Sequence, residues 1–157
     1  MQKRDVPAKV LAVCLGNICR SPTMEVVLRL KATEAGVDLS VDSAGTAGYH
    51  VGAPPDPRAI RHAGERKYAL GSLRARKVRS ADFEEFDLIL AADESNLADL
   101  RENCPVVHRH KLQLFLGDRA LPDPYYGGPA DFERVLDLVE ERVEELLLKW
   151  ADLRHSG

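Results

Sequence analysis

The chain has 157 residues, a formal net charge of −3 and an ordinary globular composition, with 45% hydrophobic and 30% charged residues. This length suits a single domain. The charge gives no general attraction to nucleic acid or to an anionic membrane, and no window reaches the roughly 20 apolar residues that a membrane helix requires. An N-terminus without a signal-peptide pattern predicts a cytoplasmic protein with reduced cysteines. The three cysteines lack the spacing of a zinc site, so we expect no metal.

The first predicted elements are a strand, a helix and a second strand. Residues 9–13 form a short apolar run before a glycine-containing turn, which is typical of a buried strand. Ser21 and Pro22 have the pattern of a helix N-cap and first helical position, and Glu25 falls in the predicted first turn. Residues 37–43 alternate between apolar and polar, which predicts a strand at a sheet edge.

The middle of the chain predicts a loop, two helices and two further strands. Residues 44–56 are rich in Gly and Pro and predict a loop, after which Pro57 begins a short helix. The continuous apolar run at 87–93 predicts a central strand buried on both faces. A helix follows it, capped at Asp93 or Ser95, and ends before Pro105. Residues 106–111 are then a weaker candidate for the other edge strand.

The last helix completes the predicted fold. Apolar residues recur at helical spacing between Pro129 and Trp150, so this helix is expected to pack on the sheet. Alternating strands and helices predict a single three-layer α/β domain over residues 1–157, with a four-stranded parallel sheet in the order 2-1-3-4 and helices on both faces. In such sheets, ligands bind at the carboxyl ends of the strands where the order reverses, which is here the end of the first strand.

The loop at that position, CLGNICRS at 14–21, has the features of an anion site. It lies between a buried strand and a helix start, so its amides can converge on one point with the helix dipole behind them. Gly16 and Asn17 tolerate the positive φ angles that such a loop needs. Arg20 supplies a charged fork for phosphoryl oxygens. These groups favour thiolate over thiol at Cys14, which makes it a candidate nucleophile.

The segments VCLGNICRSP (13–22) and DPYYGG (123–128) resemble those of the low-molecular-weight protein tyrosine phosphatases. The resemblance continues through residues 42–52, 74–78 and 81–97 and into the final helix. It implies an enzyme without a cofactor, a phosphoric monoester hydrolase that cleaves phosphotyrosine through a phosphocysteine intermediate.

The resemblance also implies roles for individual residues. Cys14 would attack the phosphorus, while Arg20 and the amides of residues 15 to 20 would stabilise the transferring group. Asp123 would protonate the leaving phenol and then act as base toward water. The other residues that would bind substrate are Leu15, Gly16, Asn17, Ile18, Cys19, Ser21, Tyr49, Tyr125 and Tyr126.

Several of these positions carry a further implied role. Ser21 would donate a hydrogen bond to the thiolate. Asn17 and Ser43 would brace the loop. Asp93, which the residues alone make a helix cap and loop brace, would have a supporting role near the site. Leu73 stands where some members of the family carry a bracing His.

The aromatic residues and the second cysteine have two interpretations each. Tyr49, Tyr125 and Tyr126 are either surface aromatics or, as in the family, the walls of a deep pocket that admits a phenyl ring and excludes the shorter phosphoserine. Cys19 is either a small apolar loop residue or a redox partner that traps oxidised Cys14 as a reversible disulfide.

Two alternative functions stay open at this point. An arsenate reductase uses the same fold and loop but needs an additional cysteine pair, whereas only Cys104 lies outside this loop. A non-catalytic phosphate- or phosphopeptide-binding module would need neither the thiol of Cys14 nor the acid of Asp123. For the phosphatase, the expected partners are phosphotyrosine proteins or small aryl phosphates, with inorganic phosphate as product. We expect a monomer that binds neither nucleic acid nor membrane.

Overall fold

A computed structural model, which describes residues 6–156 and the side chains of residues 6–153, contains a four-stranded parallel sheet between two layers of helices. The strands are β1 (Lys9–Cys14), β2 (Ser40–Gly45), β3 (Leu88–Ala91) and β4 (Leu112–Leu114). The α-helices are α1 (Arg20–Glu34), α2 (Pro57–Glu65), α3 (Ser80–Glu85), α4 (Glu94–Asn103) and α5 (Pro129–Ser156), and a 3-10 helix spans Val106–Lys111.

The strand order is β2-β1-β3-β4 and all three pairings are parallel, which confirms the predicted sheet. Strand β1 therefore lies in the centre, with β2 on one side and β3 on the other. Cys14 pairs in register with Gly45 at the end of β2, and Val13 pairs with Ala91 at the end of β3. Cys14 thus lies at the carboxyl end of the central strand, where the strand order reverses.

Alternate residues of β1 pack into two separate cores. Val10 and Ala12 belong to a cluster that includes the apolar residues of α1 and α5, and Leu11 and Val13 belong to a second cluster with residues of α3 and α4. All four side chains are buried, as expected for a strand covered on both faces. Strand β1 is fixed from both sides, so the loop that leaves it starts from a rigid position.

The structure corrects the predicted edge strand at residues 106–111. This segment is a 3-10 helix in which no residue is buried, with Val106 and Val107 largely exposed. The amide of His108 bonds to the carbonyl of Pro105, which turns the chain at this point. The edge strand follows it at Leu112–Leu114, where the two leucines are buried.

Smaller differences occur at other element boundaries. Strand β2 begins at Ser40 and not at residue 37, because the amide of Val37 bonds to Ala32 at the end of α1. Helix α1 has Cys19 at its N-cap position, without a side-chain cap, so the predicted N-cap role of Ser21 is wrong. The short helix α3 was not predicted. None of the helices within residues 6–156 has the length and apolar character needed to cross a bilayer.

Candidate active site

A cavity of about 350 Å³ opens at the carboxyl end of β1. Residues from three separate parts of the chain meet there: the loop after β1, the loop after β2, and the segment that precedes α5. The lining residues are Cys14, Leu15, Gly16, Ile18, Cys19, Arg20, Tyr49, His50, Asp123, Tyr125 and Tyr126. Most of the residues predicted to bind substrate are therefore brought together; Asn17 and Ser21 lie behind the lining.

Cys14 lies at the base of the cavity, next to Ser21. The Cys14 Sγ atom is 3.1 Å from the Ser21 hydroxyl oxygen, and both residues are buried. The side-chain amide nitrogen of Asn17, Nδ2, donates to Ser21 Oγ at 2.8 Å and to Ser43 Oγ at 3.0 Å. Ser21 Oγ thus accepts from Asn17, and its own hydrogen is available to the sulfur. This arrangement favours a hydrogen bond from Ser21 to a thiolate at Cys14.

The network behind the loop ends on a buried carboxylate. Ser43 donates its hydrogen to Glu25 Oε1 at 2.6 Å, and the other oxygen of Glu25 pairs with Arg29. Glu25 is 2% exposed and is part of the loop support. The sequence placed Glu25 in the first turn of the helix, but it lies beyond that turn because α1 begins at Arg20. A charged acceptor at this end orients each donor in the series of hydrogen bonds that runs from Ser43 through Asn17 to Ser21.

The loop has the backbone conformation that the anion-site hypothesis needs at one of the two predicted positions. Asn17 has a φ of 58°, in the left-handed region that Asn tolerates. Gly16 has no positive φ, so that prediction is wrong. Its lack of a side chain serves packing instead, because a Cβ atom at Gly16 would lie 2.8 Å from Cδ2 of His50.

Three carbonyls between residues 14 and 18 bond to neighbouring backbone. Those of Cys14, Leu15 and Ile18 accept hydrogen bonds from the amides of Thr46, Ala47 and Asp56, respectively. In the part of the chain that the structure describes, the amides of residues 15 to 19 donate no hydrogen bond to protein. Such a run of unpaired amides ahead of a helix can hold phosphoryl oxygens.

Arg20 is buried and is held in place by two acceptors. Its Nη1 atom donates to Asp93 Oδ2 at 2.9 Å and to the carbonyl of Leu121 at 2.8 Å. Asp93 is also the N-cap of α4, where its other oxygen accepts from the amide of Asn96 at 2.9 Å. Because Nη1 is occupied in this way, the orientation of the Arg20 guanidinium is fixed by Asp93, which follows β3, and by the backbone of Leu121.

Asp123 approaches the cavity from the segment between β4 and α5. Its Oδ2 atom lies 3.7 Å from Arg20 Nη2, and 46% of its side chain is exposed. Its Oδ1 atom accepts from the amide of Tyr125 at 3.1 Å. The carboxyl is therefore oriented toward the cysteine loop while it remains accessible to water.

Three tyrosines form the rim of the cavity. Tyr125 is partly exposed, and Tyr49 and Tyr126 are exposed over 78% and 94% of their surface. The rings of Tyr125 and Tyr126 pack edge to face with their centroids 4.9 Å apart. Exposed aromatic rings beside a polar floor are suited to an aromatic ligand that carries a charged group.

Cys19 is a second buried thiol in the same loop. Cys14, Cys19 and Cys104 are all free thiols in the structure. Burial raises the pKa of Cys19 well above its usual range, and the negative charge of Asp56 raises it further. Cys19 is therefore a neutral thiol at neutral pH, which leaves Cys14 as the loop cysteine in contact with a donor.

One group of potential metal ligands lies outside the cavity, between α2 and α5. The ligand atoms of His62, Glu65 and Glu133 lie within 4.8 Å of one another. Glu133 is already bound, with its Oε2 2.5 Å from His62 Nδ1 and its Oε1 2.6 Å from Arg66 Nη2. The bond from Arg66, followed by that from His62, lowers the pKa of Glu133. We interpret the group as an ion-pair network that joins the two helices.

Comparison with known proteins identifies this arrangement. A family model described as "Low molecular weight phosphotyrosine protein phosphatase" matches residues 9–156. The chain belongs to this family. A low molecular weight phosphotyrosine protein phosphatase of Schizosaccharomyces pombe is 42% identical over 134 residues, which are 79% of this chain and 85% of that protein.

Solved structures agree with the sequence comparison. A protein tyrosine phosphatase of Entamoeba histolytica, solved with Hepes in its active site, superposes with a TM-score of 0.88 at 37% identity, covering 93% of this chain and 98% of that one. The Wzb protein of Vibrio vulnificus, in complex with benzylphosphonate, superposes with a TM-score of 0.82 at 32% identity, covering 90% and 97%. The predicted family and its phosphotyrosine phosphatase activity are thus confirmed, in preference to the arsenate reductase and binding-module alternatives.

Sequence reasoning missed four residues around this phosphatase site: Glu25, His50, Asp56 and Arg58. Glu25 accepts from Ser43 behind the cysteine loop, and His50 packs closely against Gly16. Asp56 is the N-cap of α2, and Arg58, in the first turn of that helix, reaches the backbone beyond Asp123. One local signal was available, because an Asp directly before a Pro helix start is a typical N-cap. The contacts of Glu25, His50 and Arg58 join distant segments and left no comparable signal.

Proposed function

We propose that this chain hydrolyses phosphotyrosine with Cys14 as nucleophile, Arg20 as the phosphoryl-binding cation and Asp123 as general acid and base. The observation that carries the proposal is the convergence of these residues on one cavity, from the end of β1, the start of α1 and the segment before α5. A binding module needs an anion site only, whereas this cavity also contains a thiol with a hydrogen-bond donor and a half-exposed carboxyl.

In the first step, the Cys14 thiolate attacks phosphorus as the bond from phosphorus to the phenolic oxygen breaks. The S–P bond that forms gives phosphocysteine, and Asp123 transfers its proton to the departing oxygen. The amides of residues 15 to 20 and the Nη2 side of Arg20 stabilise the charge on the equatorial oxygens. Ser21 stabilises the thiolate before attack.

In the second step, water attacks the phosphocysteine. Asp123, now ionised, removes a proton from this water, the P–S bond breaks, and Cys14 returns as thiolate. Inorganic phosphate is released. Side chains and backbone amides supply every group that these two steps use, so we propose that no cofactor or metal takes part.

The three tyrosines at the rim of the cavity support a preference for aromatic phosphate esters. The rings of Tyr49, Tyr125 and Tyr126 are placed to contact a phenyl ring whose phosphate rests on the cysteine loop. The complex of the Vibrio vulnificus relative with benzylphosphonate supports this placement, because that ligand also carries an aromatic ring one atom from its phosphorus. Small aryl phosphates and phosphotyrosine in proteins are therefore the proposed substrates.

The protein is proposed to act as a monomer in the cytoplasm. All three reacting side chains come from one chain, so a monomer has a complete site. We propose one phosphatase domain over residues 1–157, without nucleic acid or membrane partners. A nucleophilic thiol must stay reduced to act, and this requirement supports the reducing cytoplasm as the location.

The test is hydrolysis of p-nitrophenyl phosphate by the purified chain in the presence of a chelator. We expect activity that the chelator does not change and that vanadate inhibits. Cys14→Ser should abolish it, because a serine hydroxyl is a far weaker nucleophile at neutral pH, whereas the matched control Cys104→Ser should retain it. Loss of activity on chelation, or activity in Cys14→Ser, would contradict the proposal.

Protein substrates can be found with the same variant. Cys14→Ser keeps the cradle but cannot form phosphocysteine, so it should retain tyrosine-phosphorylated proteins from a lysate. Vanadate should release them, because it occupies the same site. Captured proteins without phosphotyrosine, or capture that vanadate does not reverse, would contradict the proposed substrate class.

A further inference from the structure

The segment that carries Asp123 is attached to the rest of the protein at both of its ends. Before Asp123, the amide of Leu121 bonds to Ala92 and its carbonyl accepts from Arg20. Beyond Asp123, the acceptors are the carbonyls of Tyr125 and Gly127, at 2.9 Å and 3.4 Å from nitrogens of Arg58. Arg58 belongs to α2, so the far end of the segment is attached to a helix that contributes nothing to the cavity lining, in addition to the bond from the Gly128 amide to Asp131 Oδ2 at the start of α5.

Arg58 is itself held by a fixed partner. Its Nε atom is 3.1 Å from Asp56 Oδ1 and its Nη2 atom is 2.9 Å from Asp56 Oδ2, which gives a two-point ion pair. The guanidinium carbon also lies 4.6 Å from the ring centroid of Phe132, in the first turn of α5, and 5.7 Å from that of Tyr125. A planar group held in this way cannot rotate away from the carbonyls without loss of the ion pair.

Asp56 connects this group to the cysteine loop. Its side chain is 8% exposed, and its amide donates to the carbonyl of Ile18 at 2.8 Å. The chain of contacts from Ile18 through Asp56 and Arg58 to Tyr125 therefore runs from the loop of the nucleophile to the segment of the acid. The distance between these two parts of the site is fixed through side chains outside the cavity.

We propose that Arg58 is a positioning residue for proton transfer. Held by Asp56, it binds the carbonyls of Tyr125 and Gly127 and so keeps Asp123 beside Arg20 in the cavity that Cys14 also lines. The inference rests on the proposed function, because it assigns Arg58 an effect only through Asp123. Arg58 touches no reacting atom. Its loss lets the end of the segment beyond Asp123 move, while the cysteine loop and Arg20 keep their own contacts.

The experiment measures kcat/KM for a series of aryl phosphates whose phenols range from acidic to weakly acidic. This ratio includes each step up to release of the phenol, so its dependence on the leaving group reports on proton donation. For Arg58→Met we expect about a 10-fold loss with phenyl phosphate and less than about a twofold loss with p-nitrophenyl phosphate. The inhibition constant of inorganic phosphate should not change, because the cradle is intact.

A double variant tests whether Arg58 acts through Asp123. In an Asp123→Asn background no proton is donated, so Arg58→Met should lower kcat/KM for phenyl phosphate by less than about twofold. Arg61, an exposed arginine three residues further along α2, provides the matched control Arg61→Met, which should resemble the unchanged protein. Additive losses in the double variant, or an equal loss with all leaving groups, would overturn the inference.

Two further comparisons keep the outcome decisive. If Arg58→Met does not fold, Arg58→Lys takes its place, since it retains the charge but cannot contact both oxygens of Asp56 and both carbonyls. It should show the same steeper leaving-group dependence. If Asp123→Asn alters that dependence and neither Arg58 variant does, only the inference about Arg58 fails. If Cys14→Ser remains active, the proposed function fails and the inference fails with it.

Discussion

Arg20 Nη2 lies 3.7 Å from Asp123 Oδ2, so the proposed phosphoryl-binding cation and the proposed acid are neighbours before any substrate binds. The other oxygen of Asp123 accepts from the amide of Tyr125, which holds the carboxyl in this orientation. The proposed acid is therefore already close to the position that the phosphate of an ester would occupy, so proton transfer to the leaving oxygen needs no large movement of the chain.

Asp123→Asn should separate substrates by the acidity of their phenols. Without a proton donor, phenyl phosphate should lose on the order of 100-fold in kcat/KM, because its phenolate leaves poorly. The loss with p-nitrophenyl phosphate should be much smaller, because its phenolate is already stabilised. Equal slowing of both substrates would assign the acid role to another group. The exposed Asp118 supplies the control variant Asp118→Asn, which should not discriminate between them.

Ser43→Ala should weaken the support of the cysteine loop. It leaves Glu25 Oε1 and one hydrogen of the Asn17 amide without their partner in a buried region, so the free energy of unfolding should fall by about 1–3 kcal/mol. Inorganic phosphate should also bind more weakly, because Asn17 and Ser21 are then less well oriented. Chemical denaturation and phosphate inhibition measure the two effects. Ser95→Ala, at an exposed position of α4, is the control, and equal effects from both variants would contradict this role.

The fold and the cysteine loop could be predicted because their signals are local. The apolar runs before Cys14 and at 87–93 identify buried strands, and their spacing with the helices leads to the observed sheet order. The predicted edge strand at residues 106–111 was wrong because Val106 and Val107 have strand propensity, although they are exposed on a 3-10 helix. The role of Arg58 carried no signal, because the two carbonyls that it contacts are backbone groups 67 and 69 residues away, which any sequence presents.

Cys19→Ser should make oxidation of the enzyme harder to reverse. Burial and the charge of Asp56 raise the pKa of Cys19, so at neutral pH it is a thiol that does not compete with Cys14 as nucleophile. In the redox interpretation, a sulfenic acid at Cys14 condenses with the Cys19 thiol to give a disulfide and water, and dithiothreitol reduces this disulfide. After peroxide treatment, dithiothreitol should restore most of the initial activity of the unchanged protein and a much smaller fraction for Cys19→Ser, each relative to its own untreated activity. If both proteins recover the same fraction of activity, Cys19 is only a packed loop residue. Cys104→Ser is the control.

Asp56→Asn should remove a pH-dependent part of the stability. The hydrogen bond from Arg58 lowers the pKa of Asp56 below its ordinary value of 3.8, so the folded state prefers the ionised carboxylate. That preference stabilises the fold above about pH 3.8 and is lost as the pH falls below it. Unfolding free energies should therefore differ by about 1–2 kcal/mol between the two proteins at pH 6 and converge toward pH 3. Asn retains the N-cap function, so the substitution removes the charge and keeps the cap. A difference in unfolding free energy that does not depend on pH would contradict the ion pair. Asp38→Asn, at an exposed position, is the control.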